Sequence, residues 1–177
     1  TRRYFRPDMQ VLEFGCGTGS TALLHAPHVA RLEAYDISPG MIAIAERKLA
    51  ETGIDNLSFR VAAIEDLEIE DASRDMVLAL SILHLLKDRR AVMRQVFRML
   101  KPGGFFVTST ACLGDSLLFQ SFRVIGPIGR MLGLLPLVKV FPQTRLLQEL
   151  KEAGFLIDYN WRPGPAKGVF IVARKPE

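Results

Sequence analysis

The chain has 177 residues, of which 49% are hydrophobic and 24% charged, a balance typical of a globular protein and not of a disordered one. Its formal net charge of +4, from 23 basic and 19 acidic residues, is too small for a dedicated nucleic-acid-binding protein. Its two cysteines, Cys16 and Cys112, form neither a disulfide framework nor a metal-ligand set, so we expect no metal and a reducing, cytoplasmic location. We also expect a natural N-terminal segment to precede Thr1.

Short apolar runs alternate with helical patterns along the chain. The sequence predicts strands at 10–14, 31–36, 57–62, 75–80, 104–110, near 155–160 and at 168–174. It predicts helices at 20–26, from Ser38 towards Gly53, at 88–100 and at 144–153. The run at 75–80 is apolar on both faces, as in a central strand of a parallel sheet. Five strand–helix alternations without a linker predict one α/β domain with an open, doubly wound sheet.

Two of the predicted helices have further features. In the helix after the second strand, Ser38 is expected to cap, Pro39 to occupy the first turn and Gly53 to stop the helix. Its predicted apolar stripe consists of Met41, Ile42, Ala45 and Leu49. The helix at 88–100 directs Val92, Val96, Phe97 and Leu100 inward, and Arg90, Arg94, Arg98 and Lys101 form an outward basic stripe. We expect this stripe to be a solvated surface, with contact to RNA or acidic lipid as the alternative.

A glycine loop follows the first strand, in the stretch "VLEFGCGTGS" at 11–20. In doubly wound sheets, ligands bind at the carboxyl ends of the strands. The spacing is G-x-G-x-G, with Ser20 where a dinucleotide-binding loop has its third glycine, and no P-loop lysine follows. Asp36 ends the second strand, where a carboxylate accepts both hydroxyls of a ribose. Loop and acid together indicate a nucleoside ligand, and tight-turn chemistry with a helix-start acid is the alternative.

Four segments together resemble the class I S-adenosylmethionine-dependent methyltransferases, in that family's order and spacing. They are "VLEFGCGTGS", "YDISPGMIAIAERKL", "SILHLLKD" and "FRMLKPGGFFVTST", and the resemblance covers about residues 9–110 and, less distinctly, 143–174. The L-K-P-G-G turn is typical of the branch that methylates small molecules. The resemblance implies a Rossmann-like sheet of seven strands in the order 3-2-1-4-5-7-6, mostly parallel, with the seventh strand antiparallel. It also implies S-adenosyl-L-methionine as the cofactor.

The resemblance assigns roles to the cofactor-binding residues. Those implied around the methionine part are Glu13, Gly15, Cys16, Gly17 and Gly19. Asp36 is implied to hold the ribose, with Ile37 and Met41 near the adenine and the Ile64 backbone at its edge. Ser81 is implied to face the methionine amino group or the substrate. Ala63 stands where the family often has Asp to read the adenine amino group, and Glu65 or Asp66 is the candidate replacement.

Methyl transfer from a sulfonium depends mainly on alignment and desolvation, and needs a base only where the nucleophile must lose a proton. His84, just past the fourth strand, is the candidate base, and a loop histidine bonded to backbone is the alternative. The Asp/Asn-Pro-Pro-aromatic motif of enzymes that methylate base amines is replaced by "SILH". Nucleic acid is therefore disfavoured as a substrate.

The segment 113–142 is apolar and is interrupted by Gly126, Pro127, Gly129, Gly133 and Pro136, so it does not span a bilayer. It is expected to form a lid over the acceptor, a dimer contact, a peripheral membrane-interface element, or an additional pair of core helices. We therefore favour methyl transfer to a small apolar or amphiphilic acceptor, such as a lipid or a quinone-like molecule. The alternative is a non-catalytic S-adenosylmethionine-binding or regulatory domain. A nicotinamide oxidoreductase is a third and less favoured hypothesis. The oligomeric state is left open.

Overall fold

The computed structural model describes residues 1–111, 141–164 and 168–177, and the predictions for 113–140 lie outside them. Seven strands form one sheet in the order β3-β2-β1-β4-β5-β7-β6. They are β1 Gln10–Phe14, β2 Arg31–Asp36, β3 Leu57–Val61, β4 Arg74–Leu80, β5 Leu100–Ala111, β6 Leu156–Trp161 and β7 Gly168–Arg174. β1 to β5 pair in parallel, and β7 is antiparallel to β5 and to β6. The predicted fold and strand order are confirmed.

The helices lie between the strands: α1 Ser20–His25, α2 Pro39–Ala50, α3 Arg89–Met99 and α4 Gln143–Glu152. Short 3-10 turns span Arg2–Tyr4, Ala26–His28 and Ile64–Asp66. Two apolar clusters cover the two faces of the sheet. One includes Phe14, Val77, Val96, Phe106 and Leu150, and the other includes Val11, Ala34, Ala45, Phe59 and Leu78. Alternate residues of β1 and β4 enter opposite clusters, so these strands are buried on both faces, as predicted for the middle of a parallel sheet.

The start of α2 is as predicted, and its end is not. The Ser38 hydroxyl accepts a hydrogen bond from the backbone N–H of Met41 at 3.3 Å. The prediction that Gly53 stops the helix is wrong, because the helix ends at Ala50 and Thr52 donates its hydroxyl hydrogen to the Leu49 carbonyl at 2.8 Å. Met41 does not share the buried stripe, since the first turn of α2 begins past the carboxyl edge of the sheet and leaves it 43% exposed.

Ion pairs interrupt the predicted basic stripe of α3. Arg90 pairs with Glu149 and Glu152 of α4. The prediction that Leu100 and Lys101 belong to this helix is wrong, because α3 ends at Met99 and β5 begins at Leu100, and Lys101 pairs with Asp75 at 2.9 Å. Arg94 and Arg98 are exposed. Arg89, at the start of α3, is buried and also pairs with Glu149. Burial alone raises the pKa of Glu149, but the hydrogen bonds and charge of Arg89, aided by Arg90 and Arg145, hold that pKa below its usual value.

No helix within residues 1–111, 141–164 and 168–177 has the length and apolar character required to cross a bilayer.

Candidate cofactor site

The predicted site residues come together at the carboxyl edge of the parallel strands. The glycine loop follows β1, Asp36 ends β2, Ala63 and Ile64 follow β3, and Ser81 follows β4. β1 pairs with β2 on one side and with β4 on the other, so the strand order reverses at β1. This is the position at which open α/β sheets bind their ligands.

The three loop glycines all have left-handed φ angles, at +68° for Gly15, +55° for Gly17 and +72° for Gly19. They differ in what a side chain would meet. A Cβ on Gly15 would lie 2.7 Å from Ile82, and one on Gly19 would lie 2.5 Å from the Phe59 ring. At Gly17, no heavy atom of the described residues lies within 4 Å of that position. Gly15 and Gly19 thus allow close packing within the protein, and Gly17 leaves an open cradle.

Asp36 connects the glycine loop to the start of α2. One carboxylate oxygen accepts a hydrogen bond from the Gly17 N–H at 2.8 Å, and the other accepts one from the Ser38 N–H at 2.9 Å. A carboxylate has about four lone-pair sites, so each oxygen retains acceptor capacity. Asp36 is only partly buried, so part of its carboxylate stays accessible beside Gly17.

Apolar side chains lie on the α2 side of Asp36. Ile37 is 73% exposed and Met41 is 43% exposed. Ile64, by contrast, is buried in the core, and its carbonyl accepts a hydrogen bond from Gln95 at 2.9 Å. Ala63 precedes the 3-10 turn and is half-buried. Ile37 and Met41 therefore offer free apolar surface for a flat ring, whereas Ile64 offers only backbone.

Glu13 is a buried acid near the end of β1. It is 1% exposed, and among the described residues its Oε2 has no hydrogen-bond partner. Burial raises the pKa of Glu13 to about 8, since a carboxylate without a counter-charge is costly away from water. An unpartnered buried acid beside the glycine loop suits a ligand that carries a positive charge.

The raised pKa of Glu13 predicts a specific pH dependence of stability. Between about pH 4.5 and pH 8 the folded state keeps a proton on Glu13 that the unfolded state has lost, so stability falls as pH rises through this window. Glu13→Gln removes the titration, and we expect the variant to gain in melting temperature over wild type as pH is raised from 5 to 8. Thermal unfolding of both proteins across that range measures the difference. A difference that is constant with pH would contradict the assignment.

Cys16 lies close to both acids of the site. Burial, followed by the charges of Glu13 and Asp36, raises the pKa of its thiol to about 12. The thiol therefore stays protonated and is a poor nucleophile. In this structure Cys16 fills space beneath the loop, and its backbone N–H donates to the Tyr35 carbonyl at 3.1 Å.

Ser81 has a left-handed backbone although it is not a glycine, with φ at +62°. Its N–H donates to the Ser109 carbonyl of β5 at 2.7 Å, and the two hydroxyl oxygens are 3.5 Å apart. Such a conformation costs roughly 1–3 kcal/mol, persists only where neighbours enforce it, and is concentrated at functional sites. The left-handed conformation of Ser81 turns the chain directly after β4. The next residue, Ile82, packs against Gly15.

His84 lies in the turn between β4 and α3 and is half-buried. Among the described residues its Nδ1 has no hydrogen-bond partner, so the alternative of a backbone-bonded loop histidine is unsupported at that atom. Burial lowers the pKa of His84 below its usual value, so the ring is neutral at pH 7. A neutral imidazole is able to accept a proton, and in this structure the unpartnered Nδ1 is buried.

Several residues that line or support this edge were not predicted from the sequence. They are Lys48, Phe59, Ile82, Ser109 and Thr110. Thr110 is 1% exposed, and its hydroxyl has no partner among the described residues. The hydroxyl-rich end of β5, "TST" at 108–110, was the available signal, because it ends next to Ser81 in the sheet. Lys48 and Phe59 had no local signal, since both reach the loop only through tertiary packing.

A metal is not indicated in the part of the chain that the structure describes, because no group of three or more His, Cys, Asp or Glu side chains there is arranged to hold an ion.

Comparison with known proteins gives consistent matches. Residues 11–104 match the methyltransferase domain family. The chain is 30% identical over 186 residues to a demethylmenaquinone methyltransferase from Symbiobacterium thermophilum, covering 89% of this chain and 72% of that protein. It is 34% identical over 102 residues to a ubiquinone biosynthesis O-methyltransferase from Xanthomonas axonopodis pv. citri, covering 57% of this chain and 42% of that protein.

The methyltransferase YcgJ of Bacillus subtilis matches in sequence and in structure. It is 32% identical over 102 residues, and the match covers 58% of this chain but only 40% of YcgJ. The crystal structure of YcgJ superposes with a TM-score of 0.80 at 19% identity, over 98% of this chain and 94% of that one, which shows the shared fold. The chain therefore belongs to the methyltransferase domain family, and its resemblance to the class I S-adenosylmethionine-dependent methyltransferases is confirmed.

Proposed function

We propose that this chain transfers a methyl group from S-adenosylmethionine to a small amphiphilic acceptor. The observation that carries the proposal is Gly17, which has a left-handed backbone, an open Cβ side and a hydrogen bond to Asp36 at the switch point of the sheet. Gly17 provides the close approach of backbone to ligand that a nucleoside cofactor requires. Asp36 provides acceptors for ribose hydroxyls next to that approach.

The remaining residues fit the chemical groups of this cofactor. Ile37 and Met41 would cover the adenine ring with apolar surface. The buried carboxyl of Glu13, whose pKa is raised to about 8, would give up its proton and complement the positive charge of the methionine part where that part binds beside it. Gly15, Cys16, Gly19, Ala63, Ile64 and Ser81 would complete the wall by their backbone positions. The bound cofactor supplies an electrophilic methyl group on a sulfonium. The protein contributes alignment and exclusion of water.

His84 is proposed as the base for acceptors that must lose a proton. Its neutral ring and its unpartnered, buried Nδ1 support that role, and it follows by two residues Ile82, which packs against Gly15 of the glycine loop. His84→Gln is expected to lower kcat for a hydroxyl acceptor while leaving the Kd for S-adenosylhomocysteine unchanged. Initial-rate kinetics with calorimetry on the same preparations measure both quantities. Unchanged kcat would remove His84 from the chemistry.

An amphiphilic, quinone-like acceptor is supported by two kinds of observation. Two relatives are named for demethylmenaquinone and for ubiquinone biosynthesis. In this chain, Leu85 next to His84 is 41% exposed, which places apolar surface at the same turn as the candidate base. For an acceptor that has a hydroxyl on an aromatic ring and an apolar tail, the hydroxyl would face His84 and the tail would contact Leu85.

The test uses two matched acceptors and methyl-labelled S-adenosylmethionine. One acceptor is a catechol with a polyprenyl tail, and the other is the same catechol without the tail. We expect label to enter the tailed catechol with the higher kcat/KM, because the tail adds buried apolar area. Equal or better transfer to the tailless catechol would contradict the amphiphilic acceptor. S-adenosylhomocysteine binding with no transfer to any acceptor, including lipids, would favour the non-catalytic binding domain.

A further inference from the structure

Lys48 lies on the face of α2 that packs against the glycine loop. Ala45, one turn earlier on this helix, lies on the same face, and its Cβ is 2.8 Å from the position that a Cβ on Gly19 would occupy. Lys48 is half-buried, whereas its neighbour Arg47 is exposed. Because Gly19 has no side chain, α2 packs closely against the loop at Ala45, and this brings the Lys48 side chain within reach of the loop.

The ammonium group of Lys48 is fully engaged by loop atoms. It donates hydrogen bonds to the Thr18 carbonyl at 3.0 Å, the Thr18 hydroxyl at 3.1 Å and the Ser20 hydroxyl at 2.9 Å. These contacts use all three donors of an ammonium group. A lysine near the end of a helix often caps the last carbonyls of that helix. Among the described residues, the Lys48 ammonium bonds to the glycine loop and to no carbonyl of α2.

The β2–α2 unit thus holds the loop at two points on either side of the Gly17–Thr18 peptide. Asp36 accepts from the Gly17 N–H, and Lys48 binds the Thr18 carbonyl and hydroxyl. Two groups of opposite charge on one structural unit therefore hold the atoms on both sides of this peptide. Because Gly17 is the open position of the cradle, any rotation of this peptide changes the surface that the cofactor meets.

We infer that Lys48 is a positioning residue that sets the cofactor affinity of this site by fixing residues 17–20. The inference rests on the proposed function, since it concerns the same cofactor site. Removing the ammonium removes the donor to the Thr18 carbonyl and to the Thr18 and Ser20 hydroxyls, which retain only each other at 3.5 Å, and it removes the hydrogen bonds between α2 and residues 18–20. The expected consequence is weaker binding of cofactor with little effect on the rest of the fold.

The test measures the Kd of S-adenosylhomocysteine by calorimetry for Lys48→Met, Ser20→Ala and the double variant, with Arg47→Met as the matched control. We expect Lys48→Met to weaken binding by about tenfold, because residues 17–20 are then no longer held in place and must be ordered when the ligand binds. Ser20→Ala should weaken it less, and the double variant should be no weaker than Lys48→Met, because the two residues share one contact. Lys48→Arg should recover part of the affinity, and Arg47→Met should bind as wild type.

Thermal unfolding without ligand separates this role from a purely structural one. A lower melting temperature for Lys48→Met with an unchanged Kd would overturn the inference, as would additive effects of Lys48→Met and Ser20→Ala. If Lys48→Met does not fold, the exposed Ser20→Ala variant still tests the contact, and unchanged affinity there overturns the inference. Absence of binding by the wild-type chain would instead overturn the proposed function itself.

Discussion

Asp36→Ala is expected to weaken S-adenosylhomocysteine binding by about 100-fold or more relative to wild type. The carboxylate accepts from the Gly17 and Ser38 N–H groups and, under the proposed function, from both ribose hydroxyls. Hydrogen bonds to a charged acceptor contribute about 1.5–3 kcal/mol each, and every 1.4 kcal/mol is a tenfold change in Kd. Loss of two such bonds, together with the anchor of Gly17, gives the expected factor.

Two further variants show whether the loss of affinity comes from the Asp36 carboxylate or from a general loss of folding. Asp36→Asn keeps one acceptor oxygen for the loop or for Ser38, so its affinity should lie between those of wild type and Asp36→Ala. Asp55→Asn changes an exposed aspartate that follows α2, and it should bind as wild type. Calorimetry gives the Kd values, and thermal unfolding shows whether each variant is folded. A folded Asp36→Ala variant with wild-type affinity would contradict the ribose contact.

The arrangement of the strands could be predicted because it depends on local signals. Short apolar runs marked the parallel strands, and β1, β2 and the antiparallel β7 agree with their predicted bounds. Ser38 is a polar cap before a proline, which is a signal within three residues of sequence. The strand order came from the family resemblance and not from these signals, because apolar runs do not state which strands are neighbours.

The end of α2 and the role of Lys48 could not be predicted in the same way. Gly53 is a common kind of helix stop, but the Leu49 carbonyl accepts hydrogen bonds from both the N–H and the hydroxyl of Thr52, and the helix ends before Gly53. Lys48 in sequence is one of two adjacent basic residues near a helix end, where a favourable dipole interaction is the ordinary explanation. Its three bonds to the loop depend on how α2 packs, and that packing depends in turn on Gly19.

The resemblance to the family treated the three loop glycines alike, and the structure distinguishes them. Gly19→Ala places a methyl group 2.5 Å from the Phe59 ring and 2.8 Å from Ala45. Gly17→Ala places one in the open cradle. Both substitutions force an alanine into a left-handed backbone, but only the first must also displace packed neighbours. The two substitutions should therefore damage different properties of the protein.

We expect Gly19→Ala to lower the free energy of unfolding by about 2–5 kcal/mol, combining about 1–2 kcal/mol for the left-handed residue with about 1–3 kcal/mol for overpacking. Gly17→Ala should lose only about 1–2 kcal/mol but should bind S-adenosylhomocysteine far more weakly, because its methyl group occupies the approach to the ligand. Phe59→Leu removes the ring that collides with the methyl group introduced by Gly19→Ala, and it should restore part of the stability of that variant. Denaturant unfolding and calorimetry measure the two properties. Equal stability losses in the two alanine variants, with no relief by Phe59→Leu, would mean that the loop does not pack against β3 as described.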